Sequence, residues 1–254
     1  MTTLRVLAVI VFCFGSPFAQ AIGVMSWNIE RLGHGTQKDY HALAVSIAGN
    51  GADLVAVQEA MNEGGLSRLL AELRSVTGEP WEMRFSHRIG RGSYKEKYAF
   101  LWNAHTVEFV GRETVYLDVT DRFAREPYSA IFRDRASGAT VLLATVHILY
   151  GRSVSDRTPE IEALAHYWEW LVETFPEVRG EVLLVGDFNL PPQHAAWSAL
   201  QRHARPLVTE GATTVSTIEG RFANLYDNIW APRTTRLPLR AARIINGPEQ
   251  LGIS

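Results

Sequence analysis

The chain has 254 residues, 46% hydrophobic and 20% charged, with a formal net charge of −2; this is the composition of one folded domain with a sizeable core. The charge excludes a global basic field that would draw in nucleic acid, so any phosphate-binding surface has to be local. Cys13 is the only cysteine, which excludes a disulfide framework and a thiolate metal site.

Taken in chain order, the first segment reads as an address rather than as fold. An apolar run from Val6 to Phe14 follows Arg5, and "AQA" at Ala19 to Ala21 fits a small-residue cleavage site. The run is short for a membrane span. Residues 1–21 are expected to be a secretory signal, with an uncleaved anchor as the alternative. Residues 22–254 are then one domain, secreted or periplasmic, monomeric, free of the membrane and one unit more negative than the whole chain.

Strand patterns follow at "IGVMSWNI", "DLVAVQE", "YAFLW", "TVEFVGRETVYL", "YSAIFRD", "TVLLATVHI", "EVLLVGDF", "NIWA" and "LRAARII". Helical patterns fall at Tyr40–Ala48, Gly65–Val76 and Thr158–Thr174, with a short helix at Ala195–Gln201. In the third, Thr158 is expected to cap and Pro159 to take the first helical position. In "HYWEW", Trp168 and Trp170 cannot both face inward. Many strands with a few amphipathic helices predict sheets packed together with helices outside.

Polar residues recur where these strands stop. Asn28 closes "MSWN", Glu59 closes "LVAVQE", His147 follows "ATV", Asp187 and Asn189 end "LLVGDFN", and Asp227 opens "DNIW". One such residue is a turn or a cap. A set of acids, amides and one imidazole flanking buried strands is costly unless paired, hydrogen-bonded or bound to a cation. Oxygen donors without cysteine suit a hard cation: Mg2+ or Mn2+, with Ca2+ as a further candidate. A histidine beside carboxylates suits proton transfer near neutral pH. Together these fit metal-assisted phosphodiester hydrolysis. Hydride transfer and a serine nucleophile fit poorly, because no Gly-rich dinucleotide loop and no G-x-S-x-G occurs.

These motifs, with "GRGSYKEKYAF" (Gly90 to Phe100) and "AREP" (Ala124 to Pro127), resemble the endonuclease/exonuclease/phosphatase superfamily and, within it, the deoxyribonuclease I branch. The resemblance implies an α+β fold, a four-layer α/β/β/α sandwich with two central mixed sheets. It also implies that Glu59 is the main metal ligand and that Asn28 orients the metal ligand or phosphate at the metal site. Glu96 would tune His147 as general acid. Asp187 and Asn189 would hold the scissile phosphate, and Asp227 would orient a second histidine acting as base. Tyr94 and Arg125 would contact DNA, the tyrosine in the minor groove and the arginine at a phosphate.

Two departures accompany it. Glu30 and Met61 stand where the branch tends to carry arginine. The chain also closes on "GPEQLGIS", where the family continues with Asp-His-x-Pro-Val, so the last core strand and the base are expected to be missing. The remaining histidines, His34, His41, His87, His105, His166, His194 and His203, read as surface residues. The expected function is an exported, divalent-metal-dependent endonuclease acting on DNA. The alternatives are a phosphodiesterase or phosphatase acting on a phospholipid or nucleotide, and a non-catalytic DNA- or partner-binding fragment.

Overall fold

The computed structural model describes residues 7–12, 22–35, 38–178, 180–215, 222–235, 237 and 239–245. Its strands are β1 (Leu7–Phe12), β2 (Gly23–Leu32), β3 (Leu54–Ala60), β4 (Trp81–Phe85), β5 (Lys97–Asn103), β6 (Val107–Val115), β7 (Tyr128–Asp134), β8 (Thr140–His147) and β9 (Val182–Asp187). They continue with β10 (Ala204–Pro206), β11 (Thr214–Val215), β12 (Phe222–Asn224), β13 (Asp227–Pro232) and β14 (Leu239–Ile245). The helices are α1 (Tyr40–Gly49), α2 (Glu63–Thr77) and α3 (Val154–Thr174), with short 3-10 turns at Pro176–Val178, Ala195–Ser198 and Leu200–Arg202. Among the described residues, no helix is long and apolar enough to cross a membrane.

Two six-stranded mixed sheets form, ordered β14-β1-β2-β3-β5-β4 and β10-β13-β9-β8-β7-β6, beside a ribbon of β11 and β12. Their inner faces share one apolar cluster that includes Val24, Ala56, Phe100, Phe132, Leu143 and Val185. Leu43 and Ile47 of α1 and Leu66, Leu69 and Leu73 of α2 cover the outer face of the first sheet. Ile161, Leu164, Tyr167 and Leu171 of α3 cover the outer face of the second. Strands buried on both faces are apolar without alternation, as "LVAV" and "VLLV" are. The expected four-layer sandwich is the observed one.

Three expectations change in detail. Helix α3 starts at Val154, not at Thr158. Ser153 is its N-cap, and Asp156 accepts the backbone N–H groups of Arg152 and Ser153 at 2.7 and 3.1 Å. This "SVSD" start outranks Thr158 because the carboxylate satisfies donors that a helix start leaves open. Pro159 therefore lies inside the helix. The expected helix at Ala195–Gln201 is two 3-10 turns. Leu7–Phe12, inside the expected signal, is strand β1, paired antiparallel with both β2 and β14. The closing stretch "GPEQLGIS", on which the expectation of a missing last strand rests, lies outside the described residues.

Candidate active site

The two sheets meet at one seam, where the functional side chains gather. Beneath it, Gln58 of β3 donates from Nε2 to Thr145 Oγ1 of β8 at 2.7 Å, tying sheet to sheet. The strands carrying the acids break their regular pairing there. β2 and β3 shift register between Asn28 and Leu32, and β3 and β5 shift between Val57 and Ala60. Such bulges re-aim side chains. Glu59, at φ 57°, is in the left-handed region, a conformation that costs a non-glycine residue about 1–3 kcal/mol. Asn189, at φ 51°, tolerates the same region better.

Parallel pairing of β8 with β9 sets His147 beside Asp187. Gly186 permits this approach. Its φ is 143°, and a Cβ there would stand 1.9 Å from the carbonyl oxygen of Val146. Antiparallel pairing of β9 with β13 sets Asp227 opposite Asp187.

Asn28 joins the acids. Its Nδ2 donates to Glu59 Oε1 at 2.9 Å and to Asp187 Oδ2 at 3.0 Å, while its Oδ1 accepts the Glu30 N–H. The Arg31 N–H donates to the other oxygen of Glu59 at 3.2 Å. His147 Nδ1 lies 3.1 and 3.0 Å from the two oxygens of Glu96. That contact turns Nε2 toward Glu59 Oε1 and Asp187 Oδ2, each 3.9 Å away. The Asn189 N–H donates to Asp187 Oδ1, and its amide donates to the Ile148 carbonyl at 2.7 Å.

Glu96 is fully buried and His147 is 7% exposed. Burial pushes the Glu96 carboxyl up, but the charge and hydrogen bond of His147, with Arg125, outweigh it and hold the group below its ordinary value. Burial pushes the His147 imidazole down, and the Glu96 charge more than reverses this, so the net shift is upward. The pair thus favours an ionised carboxylate and a protonated imidazole.

Over these groups opens a cavity of about 360 Å3 lined by Glu59, Tyr94, Arg125, His147, Tyr150 and Asn189, with Glu30 and Arg31 at its edge. Among the described residues, no trio of His, Asp or Glu is arranged to cage a metal. The neighbouring carboxylates of Glu59 and Asp187 do suit a Mg2+-type ion, which takes one or two carboxylates and completes its shell with water and substrate oxygens.

Seven of the nine expected site residues come together at the seam: Asn28, Glu59, Glu96, His147, Asp187, Asn189 and Asp227. Asn28 bridges the acids through its nitrogen, because its oxygen is held by the Glu30 amide. Arg125 lines the cavity and is also tied to the residues beneath it. It is 8% exposed and donates from Nε to the His147 carbonyl at 2.9 Å, with Glu96 Oε2 at 3.8 Å and the Tyr94 ring 5.8 Å from its guanidinium. Tyr94 is partly buried over that arginine. The other histidines are exposed apart from a half-buried His203. His41 pairs with Glu72, His105 with Glu79, and both His166 and His203 with Glu169.

Several supports escaped sequence reading. Tyr98 accepts the His147 N–H on its hydroxyl at 2.9 Å. Thr213 Oγ1 accepts the Tyr226 and Asp227 N–H groups. Glu160 accepts the Ala124 and Leu149 N–H groups, and Arg157 donates to the Asn189 carbonyl at 2.5 Å. No pattern in the sequence marks them, since the burial of Arg157 and Glu160 on α3 appears only in the fold.

Known proteins share both the sequence and the fold. Residues 25–244 match the model of the Endonuclease/Exonuclease/phosphatase family. A deoxyribonuclease of Thioalkalivibrio sp. (strain K90mix) is 52% identical over 226 residues, covering 89% of this chain and 62% of that protein. Deoxyribonuclease-1 of Oryctolagus cuniculus is 24% identical over 85% of this chain and 79% of its own length. An endonuclease/exonuclease/phosphatase family protein of Bacteroides thetaiotaomicron superposes with a TM-score of 0.61 at 15% identity, covering 84% of this chain and 83% of that one. A mannosyl-6-phosphatase of the same species superposes at 0.59 and 14% identity, covering 84% and 86%. The chain spans under two thirds of the Thioalkalivibrio relative, and that relative's extra length lies outside the match. The family match over most of the chain makes this chain a member of the Endonuclease/Exonuclease/phosphatase family, with deoxyribonucleases among the proteins it resembles.

Proposed function

We propose that this chain is the catalytic part of an exported, divalent-metal-dependent endonuclease that hydrolyses DNA phosphodiester bonds. The observation that carries the reading is His147. Its Nδ1 is held by buried Glu96, so Nε2 faces the cavity beside Glu59 and Asp187.

In this reading a phosphate lies over the seam. Glu59 and Asp187 would hold a Mg2+ or Mn2+ ion, which when bound neutralises charge on phosphate oxygens. Asn28 keeps the two carboxylates together. Asn189 lines the cavity; Asp187 takes its backbone N–H and Ile148 one hydrogen of its side-chain amide, and in this reading the second hydrogen of that amide goes to a phosphate oxygen. His147 gives the proton on Nε2 to the leaving oxygen, and Glu96 stabilises the imidazolium until then. Arg125 and Tyr98 grip the backbone of His147 and aim its ring. Asp227 stands across from Asp187 on β13, where it supports the phosphate side of the site. Tyr94 borders the cavity as a surface for the DNA sugar or groove wall. Removal of residues 1–21 as a signal completes the reading, and it would take strand β1 from between β2 and β14.

The test is nicking of supercoiled plasmid with Mg2+, Mn2+ or Ca2+, with an EDTA control. The expected result is metal-dependent relaxation that His147→Gln lowers on the order of 10²–10⁴-fold, the usual range for loss of a general acid. A folded chain that leaves plasmid intact while hydrolysing a phospholipid head group or a nucleotide phosphate would overturn the substrate. N-terminal sequencing of protein recovered outside the cytoplasm tests export, and an intact Met1 there would refute cleavage.

A further inference from the structure

Tyr150 stands apart from the other cavity residues because it is large, aromatic and 57% exposed. Exposed aromatic rings occur singly on many surfaces and need no explanation. This one is different because everything behind it is fixed. The Arg157 guanidinium lies 4.2 Å from the centre of its ring, and Arg157 is itself only 6% exposed. Arg157 Nε donates to the Tyr150 carbonyl at 2.6 Å, and its NH1 donates to the Asn189 carbonyl. Tyr226 stands on the same guanidinium at 5.7 Å and meets the Tyr150 ring edge to face at 6.4 Å. One buried cation therefore joins the exposed ring to the backbone of a site residue.

The loop that carries Tyr150 is pinned residue by residue to helix α3. The Leu149 N–H goes to Glu160, the Tyr150 carbonyl takes Arg157, and the Arg152 and Ser153 N–H groups go to Asp156. Gly151 turns at φ 61° against the Asp156 side chain, where a Cβ would stand 2.5 Å from that residue's Cβ. With the guanidinium against the ring and Tyr226 beside it, Tyr150 is still 57% exposed and open to a further flat group. A flat surface held this rigidly loses little entropy when a second flat group settles on it.

We propose that Tyr150 is a stacking platform for the nucleobase of an unpaired nucleotide next to the phosphate held at the site. The inference rests on the phosphodiesterase reading above. Within a duplex each base is already stacked on its neighbours, so an outside ring gains a base only where the strand is single or opened. Stacking on a tyrosine is tolerant of base identity, because every base has a π face. Tyr150 therefore sets strandedness rather than sequence, and favours single strands and unpaired ends over intact duplex.

The test measures binding and turnover separately for the wild type, Tyr150→Ala and Tyr150→Phe. Binding of a labelled single-stranded oligonucleotide, and of the duplex of the same sequence, is followed by anisotropy in EDTA, where no cutting interferes. Tyr150→Ala is expected to raise the single-strand Kd about tenfold, the order of one lost stacked base, and to change the duplex Kd far less. Tyr150→Phe is expected to restore wild-type values, since it keeps the ring. With metal present, the same split is expected in KM, with kcat changed little. Equal single-strand Kd for wild type and Tyr150→Ala would overturn the proposal, as would equal weakening on both substrates or failure of phenylalanine to rescue. Plasmid nicking by a chain whose single-strand Kd does not depend on Tyr150 sinks the platform alone. A Tyr150-dependent single-strand Kd in a chain that never cuts DNA sinks the endonuclease reading and leaves the platform standing.

Discussion

His147 and Glu96 are each held in their charged form by the other, and burial makes the dependence steep. The sign can be followed through folding. His147 titrates above its ordinary 6.5, so its share of stability is complete below that pH and is lost as pH rises through the raised value. Glu96 titrates below its ordinary 4.5, so its share is complete above that pH and is lost as pH falls through the depressed value. The difference in Tm between wild type and His147→Gln, measured in EDTA across pH, is expected to be largest between about 4.5 and 6.5 and to shrink on both sides. A gap that keeps growing above neutrality would contradict the pairing. Activity is expected to respond to the same contact: Glu96→Gln removes the largest influence raising His147, so the alkaline limb of the nicking profile should move to lower pH. The carriers of this chemistry were legible as polar residues at strand ends, which is why Glu59, His147 and Asp187 stood out from their apolar neighbours. Their supports were not. Tyr98 looks like one more apolar residue of "YAFLW". Arg157 and Glu160 sit in a helix where charged residues usually face water, and their inward turn depends on the backbone of loops at Ala124, Leu149, Tyr150 and Asn189.

At the scale of elements, the site depends on how closely β8 and β9 can run. Gly186→Ala would place a methyl group against the Val146 carbonyl in a backbone conformation that alanine avoids. Strain and overpacking each cost about 1–3 kcal/mol, so a loss on the order of 3 kcal/mol is expected. At about 2–4 °C per kcal/mol, that is a fall in Tm of roughly 6 °C or more, and an unchanged Tm would refute the close approach. Strand β1 gives a second expectation. It pairs along β14 from Leu7 to Phe12 and along β2 from Ala8 to Val11. A chain starting at Ile22 leaves both neighbours with open hydrogen-bonding edges and should melt several degrees below the full chain, while equal melting would show that β1 adds nothing to the sheet. The nine expected strands were legible because buried strands are apolar runs bounded by turn residues. β4 was not, because "WEMRF" is only five residues long and sets Glu82 and Arg84 outward on the edge of its sheet. β10, three residues long, is defined by its pairing with β13 rather than by its own composition. Helix α3 was found four residues late because Pro159 imitates a helix start, whereas the "SVSD" cap precedes it.

Across the whole molecule, the two sheets supply a rigid seam and the surface supplies little attraction for a polyanion. The net charge is −2, and Arg125, expected at a phosphate, is 8% exposed and donates to the His147 carbonyl while lining the cavity. Arg31 lines the cavity, and the exposed Lys95 and Arg152 follow the lining residues Tyr94 and Gly151 in the chain. Arg91 is nearby in sequence but is paired with Asp121. Glu30 at the same edge opposes them. Each phosphate neutralised on duplex DNA adds about 0.9 to the magnitude of the slope of log K against log salt. Three cations therefore give an expected slope of about −3 for duplex binding in EDTA, shallow beside the slope of about −10 seen for a strongly basic DNA binder. Charge reversal at Lys95 or Arg152 should lower the slope by about one each and weaken all sequences alike, because phosphate contacts carry no base information. A measured slope of −6 or steeper would mean that a wider basic surface is engaged than these residues can form. On the proposed reading, a molecule with so few ionic contacts to DNA would draw its remaining affinity from a metal, from the donors of the seam and from the ring of Tyr150. Its affinity for single strands should therefore decline less with salt than its affinity for duplex.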